Sequence, residues 1–95
     1  MKVIFTECAA KEFLEAQSFY ELEIQGLGKE FKNEIIKTVR RISIFPDAYP
    51  LLKYGIRKCV VRKFPYNLFY SIENDFILIL SVAHQHRKPF YLTEK

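Results

Sequence analysis

The most constraining feature of the chain is an almost wholly apolar run, Phe76–His84. A run of this kind is expected of a central β-strand that is covered on both faces. Two other strand patterns precede it, at residues 56–64, where β-branched and basic residues interleave, and at residues 67–73. Turn-forming pairs at residues 65–66 and 74–75 mark two tight reversals. The second half of the chain therefore predicts three consecutive strands joined by short turns.

The first half of the chain carries two amphipathic helical patterns, at residues 9–25 and 29–45. Thr6 is the predicted N-cap of the first helix, and Pro46 ends the second. Gly26 and Gly28 supply the turn between them. The apolar residues at three- and four-residue spacing, which we expect to pack on the sheet, are Phe13, Tyr20, Phe31, Ile35, Val39 and Ile42.

A short apolar segment at residues 3–5 predicts one further strand before the helices. The predicted order is therefore β-α-α-β-β-β, an α+β fold. In it, a two-helix hairpin packs on one face of a mostly antiparallel four-stranded sheet. The 95 residues, 49% of them hydrophobic, are enough for one domain, which we assign to residues 1–95.

Charge is divided unevenly along the chain, which has a formal net charge of +4. Residues 1–34 hold four Lys/Arg and seven Asp/Glu, whereas residues 35–95 hold eleven Lys/Arg and four Asp/Glu. The asymmetry indicates that the C-terminal part meets an anionic partner, either nucleic acid or an acidic protein segment. A mildly basic solvated surface is the alternative.

The remaining sequence signals exclude several classes of protein and site. Cys8 and Cys59 form neither a CxxC motif nor a disulfide framework. No apolar window is long enough for a signal peptide or a membrane helix, so we expect a cytoplasmic protein. His84 and His86 are too few ligands for a zinc site. We expect no metal and no cofactor.

Cationic and aromatic residues gather in the C-terminal half and are the candidates for chemistry. Arginine binds phosphate or carboxylate with two parallel hydrogen bonds, tyrosine stacks on bases, and histidine transfers protons near neutral pH. These residues are Arg57, Lys58, Arg62, Lys63, His84, His86, Arg87, Lys88 and Tyr91. The residue types fit three roles: holding and cleaving RNA, binding an acidic protein, or forming a solvated basic face.

Three segments in order resemble one protein family. The segment FPYNLFY at residues 64–70 is followed by the apolar run that ends at His84, and then by Arg87 and Pro89. This FPY segment, apolar strand and H-x-x-R-x-P pattern resemble the RelE/ParE superfamily of type II toxin–antitoxin systems, which includes plasmid stabilisation proteins. Residues that also fall where this pattern expects them are Phe31, Pro46, Tyr49, Pro50 and Arg57. The resemblance implies the same small α+β fold.

The resemblance implies a toxin, and the family divides by target. ParE-like members inhibit DNA gyrase and are not nucleases, whereas RelE-like members are endoribonucleases that cut mRNA in the ribosome. The FPY and H-x-x-R-x-P form looks more ParE-like, so a gyrase inhibitor neutralised by a cognate antitoxin is the expectation. A RelE-like endoribonuclease is the alternative, and an inactive member that binds only its antitoxin is a further one.

Site residues follow from these alternatives. If the chain is an RNase, the resemblance implies His84, Arg87 and Tyr91 as catalytic residues. For binding of the target or antitoxin, the candidates are Arg57, Arg62, Lys63, His86, Arg87 and Lys88. We expect the antitoxin to lay apolar residues against the helices and acidic residues near Arg57, Arg62 and Arg87.

Overall fold

The computed structural model describes residues 1–86. Their order is β-α-α-β-β-β, with two short 3-10 turns between the helices and the later strands. The elements are β1 Lys2–Phe5, α1 Glu7–Glu23, α2 Leu27–Ile44, the turns Pro46–Ala48 and Lys53–Gly55, β2 Ile56–Val60, β3 Tyr66–Ile72 and β4 Phe76–His84. The predicted α+β class and element order are confirmed.

The four strands form one sheet in the order β1-β4-β3-β2. β1 runs parallel to β4, and β2, β3 and β4 are antiparallel neighbours. The apolar strand β4 is therefore central, as its composition predicts. The outer strands are β1 and β2, and the sheet is mostly antiparallel.

Both helices lie on one face of the sheet and bury the predicted stripes. Phe31 and Ile42 are fully buried, and Ile35 is 3% exposed. Phe13, Tyr20 and Val39 are partly buried against the same core, which also contains residues of β2, β3 and β4. A smaller cluster on the other face of the sheet contains Ile56, Phe69 and Ala83.

A β-bulge interrupts the pairing of β3 with β4. Phe69 pairs with Ser81 and Tyr70 with Ile79, so Leu80 is the extra residue. Glu12 of α1 stabilises this irregularity, because its Oε1 accepts hydrogen bonds from the Ser81 hydroxyl and the Val82 amide, both at 2.8 Å. An acidic side chain of α1 thus satisfies buried donors of the central strand.

The entry to α1 and the turn between the helices are only partly as predicted. Thr6 is the N-cap, since its hydroxyl oxygen accepts from the Ala9 amide at 3.0 Å. Gly26 makes the turn with φ 90°. The assignment of Gly28 to the turn was wrong, because α2 already begins at Leu27. A Cβ at Gly28 would lie 2.7 Å from the Gln17 carbonyl oxygen, so glycine there allows the helices to approach closely.

The predicted extension of β2 to residue 64 was also wrong. β2 ends at Val60, and Lys63 has φ 72°, which turns the chain toward β3. The Val61 amide then donates to the Tyr66 carbonyl at 2.9 Å, so β3 begins at Tyr66 and the reversal precedes it. Arg62 therefore lies in a turn rather than on a strand. Within residues 1–86, no helix is long and apolar enough to span a membrane.

Candidate functional site

An apolar groove with a volume of about 570 Å³ lies between α1 and α2. Leu14 on one wall is 58% exposed, and Ile36 on the other is 38% exposed. The side chains of Lys32 and Arg40 also line it. An exposed apolar trough with cationic residues beside it fits the apolar face of an amphipathic helix that carries acidic residues at its edges.

The hairpin connection explains where this groove lies. Only residues 24–26 separate the two helices, so they run antiparallel and the start of α1 faces the end of α2. At the connected end, Gly28 brings α2 close to Gln17. The groove lies toward the other end, where Ala10 and Leu14 face Val39 and Arg40.

Arg57, a predicted binding residue, holds a neighbouring segment in place. Its guanidinium donates to the carbonyl oxygens of Asp47 at 3.2 Å and Tyr49 at 2.8 Å, and lies 3.8 Å from the Asp47 carboxylate. The Tyr70 hydroxyl donates to the Pro46 carbonyl at 2.6 Å, and burial raises the Tyr70 pKa to about 12. These bonds attach the segment that follows α2 to the sheet.

Lys63 lies in the turn after β2 and meets a buried carboxylate of α2. Glu34 is 5% exposed, and its Oε2 lies 3.5 Å from the ammonium nitrogens of both Lys37 and Lys63. The pairing fixes the turn against α2. Arg62, its neighbour in the turn, is exposed and has no ion-pair partner among residues 1–86.

A second concave surface, which we call the β2-edge cleft, lies at the outer edge of the sheet and has a volume of about 320 Å³. Its lining residues are Arg41, Tyr49, Pro50, Lys58, Cys59, Val60 and Arg62. Arg41 was not among the site residues predicted from the sequence. The local sequence carries no signal for it, because the backbone group that Arg41 binds, the Val60 carbonyl, lies 19 residues away.

The end of β4 places the two histidines side by side. The His84 ring lies 5.3 Å from the Tyr66 ring and 5.4 Å from the His86 ring. The His86 amide donates to Nδ1 of His84 at 3.2 Å. The other proposed catalytic residues, Arg87 and Tyr91, lie outside the described residues, as does the candidate Lys88.

Within residues 1–86, no three His, Cys, Asp or Glu side chains come close enough together to hold a metal ion. Burial raises the pKa of the Cys59 thiol, and it also raises that of Cys8, with a further contribution from Glu12. Both thiols are therefore neutral and weakly nucleophilic near pH 7.

Comparison with known proteins identifies the family. A family model described as the ParE toxin of the type II toxin–antitoxin system, parDE, matches residues 3–89. The chain belongs to the ParE toxin family. The match covers all the strands and helices described above except Lys2, the first residue of β1, and it favours the ParE-like branch over the RelE-like alternative. No curated protein sequence gives a significant match.

Two solved structures share the fold of this ParE family member. A chain from the chromosomal ParDE toxin–antitoxin system of P. aeruginosa has a TM-score of 0.65 and 14% sequence identity, with 88% of this chain and 95% of that chain covered. A conserved hypothetical protein of Helicobacter pylori, HP0894, has a TM-score of 0.54 and 22% identity, with 90% and 96% covered. At these identities the likeness shows the fold alone.

Proposed function

We propose that this chain is the toxin of a type II toxin–antitoxin module, which inhibits DNA gyrase and is neutralised by a cognate antitoxin. The family match over residues 3–89 carries the proposal. Gyrase is the proposed target because the FPY and H-x-x-R-x-P segments of this chain resemble those of the ParE-like branch. Members of that branch inhibit gyrase.

The α1–α2 groove is the proposed docking site of the antitoxin. Its apolar walls, formed by residues such as Leu14 and Ile36, are exposed to solvent in the free chain. Lys32 and Arg40 beside them would attract acidic side chains at the edges of a bound helix. Membership of a family described as the toxin of a type II toxin–antitoxin system supports the existence of such a partner.

The docking site is tested with a matched pair of substitutions on one helix. Leu14 lines the groove, whereas Leu22 is 88% exposed and does not line it. We expect Leu14→Glu to weaken binding of the product of the adjacent antitoxin gene by about tenfold or more, because it places a charge against an apolar surface. Leu22→Glu should leave the affinity unchanged. If the two variants bind the antitoxin with equal affinity, the groove is not part of the interface.

The target is tested with one purified preparation in two assays. The wild type should inhibit gyrase supercoiling and leave mRNA intact on programmed ribosomes. If ribosomal cleavage occurs instead, and His84→Ala lowers it by about 10²-fold or more, the RelE-like mechanism replaces the proposed one. Silence in both assays, together with retained antitoxin binding, would indicate an inactive member.

A further inference from the structure

The β2-edge cleft brings together three cationic side chains from different elements. Arg41 belongs to α2, Lys58 to β2 and Arg62 to the turn that follows it. Within residues 1–86, no carboxylate lies within ion-pair distance of any of the three. Arg57 and Lys63, the neighbouring cations, are already bound to Asp47 and Glu34. The cleft therefore concentrates uncompensated positive charge.

Arg41 is held in position before any ligand arrives. One of its terminal nitrogens donates to the Val60 carbonyl at 3.1 Å and contacts the Thr38 hydroxyl oxygen at 3.4 Å. A guanidinium group has five N–H donors, so others remain for an anion. Because the side chain is already ordered, binding loses less conformational entropy than it would at a mobile arginine.

The rest of the cleft surface is apolar and uncharged. Val60 is 52% exposed and Pro50 is exposed, while the buried Cys59 thiol lies beneath them. Burial keeps the Cys59 pKa above its usual value, although Arg41 and Arg62 act to lower it. The thiol is consequently neutral near pH 7 and does not cancel the positive charge of the cleft.

The cleft also continues a partly covered strand edge. β2 is an outer strand, and the segment before it pairs with its first half: the Lys58 amide donates to the Pro50 carbonyl at 3.1 Å, and the Leu52 amide to the Ile56 carbonyl at 2.6 Å. This pairing stops at Pro50. The edge beyond Lys58 borders the cleft, and within residues 1–86 the Val60 carbonyl there is bound by the Arg41 side chain rather than by another strand.

We propose that the β2-edge cleft binds an acidic, extended polypeptide segment, with a carboxylate held by Arg41, Lys58 and Arg62 and an adjacent apolar side chain on Val60 and Pro50. A peptide fits better than nucleic acid, because the cleft combines its charge with an apolar surface and a strand edge. Backbone phosphates are instead met by rows of polar and cationic groups. In assigning this segment to the antitoxin, the inference rests on the proposed function.

Binding is measured by fluorescence anisotropy with three labelled probes: a peptide alternating Glu and Leu, the same peptide with Gln for Glu, and a duplex DNA of mixed sequence. The test variant is Lys58→Ala with Arg62→Ala. The matched control is Lys11→Ala with Lys29→Ala, which removes the same charge from exposed positions outside the cleft. Arg41 is left intact because it also bonds to Val60.

We expect the wild type to prefer the Glu peptide over both other probes. The test variant should bind it at least about tenfold more weakly, and the control variant within about twofold of the wild type. If both variants bind the Glu peptide equally weakly, net charge alone explains the weaker binding, and the cleft is not the binding site. Preference for duplex DNA, lost in the test variant, would make the cleft a nucleic-acid site instead.

The experiments distinguish an error in the cleft proposal from an error in the proposed function. If the adjacent gene product does not co-purify with the wild type, the antitoxin assignment fails, whereas the peptide titration still decides the cleft. If it binds the wild type, the test variant and the control with equal affinity, the antitoxin does not use the cleft and the cleft assignment is overturned. Gyrase inhibition reports on the target separately.

Discussion

Glu12 provides the sharpest test of how this fold is held together. Its Oε1 accepts from the Ser81 hydroxyl and the Val82 amide, both at 2.8 Å, and both of these residues are fully buried. Replacing Glu12 by Ala removes both hydrogen bonds to this charged acceptor. Each such bond contributes about 1.5–3 kcal/mol to the free energy of unfolding. The Ser81 hydroxyl can rotate to another acceptor, but the Val82 amide cannot.

We therefore expect Glu12→Ala to lower the free energy of unfolding by about 2–4 kcal/mol, a large part of the roughly 5–15 kcal/mol typical of a domain. Glu12→Gln keeps one oxygen that can accept both bonds but removes the charge that strengthens them, so it should cost about half as much. Glu15→Ala on the same helix is the control, because Glu15 is exposed. It should stay within about 0.5 kcal/mol of the wild type.

The measurement is urea unfolding followed by circular dichroism, with an unchanged dependence on urea in all variants. A double-mutant cycle with Ser81→Ala should show a coupling of about 0.5–3 kcal/mol, since the two side chains are in direct contact. If Glu12→Ala and Glu15→Ala are equally stable, the carboxylate does not stabilise the bulge, and our account of β4 is wrong.

Two further predictions concern the helix crossing and the segment after α2. Gly28→Ala should destabilise the protein by about 1 kcal/mol in urea unfolding, because the cost of crowding the Gln17 carbonyl exceeds the gain in helix propensity; a stabilised variant would contradict the close contact. Tyr70 has its pKa raised from 10.0 to about 12, so its contribution to stability is complete below pH 10.0 and is lost as the pH rises through about 12. An ultraviolet titration of Tyr70→Phe should lack the last phenol to ionise, and an unchanged titration would show that Tyr70 is not the shifted group.

The order of elements and the core could be predicted because their signals are local. Helical spacing placed Phe31, Ile35 and Ile42 on one face of α2, and all three are buried. The composition of the run Phe76–His84 predicted the central strand of the sheet. Each of these patterns repeats within a few residues, so it can be read without knowing the rest of the fold.

The turn after β2 could not be predicted from such patterns. The β-branched and basic residues of 56–64 continue a strand pattern, yet the chain leaves β2 after Val60. The buried Glu34 of α2 pairs with Lys63, whose backbone has φ 72°. The turn conformation at Lys63 thus occurs together with a contact to α2, and strand propensity indicates neither of them.

The sequence by itself determined the fold class, the helical stripes, the central strand and the resemblance to a toxin family. Only the tertiary structure decided what the charged residues do: Glu12 binds a strand about seventy residues away, Arg57 holds the segment after α2, and Arg41 faces the β2-edge cleft. The physical reason is that apolar burial follows local periodicity. A charged side chain instead finds its partner through contacts that exist only after the chain has folded.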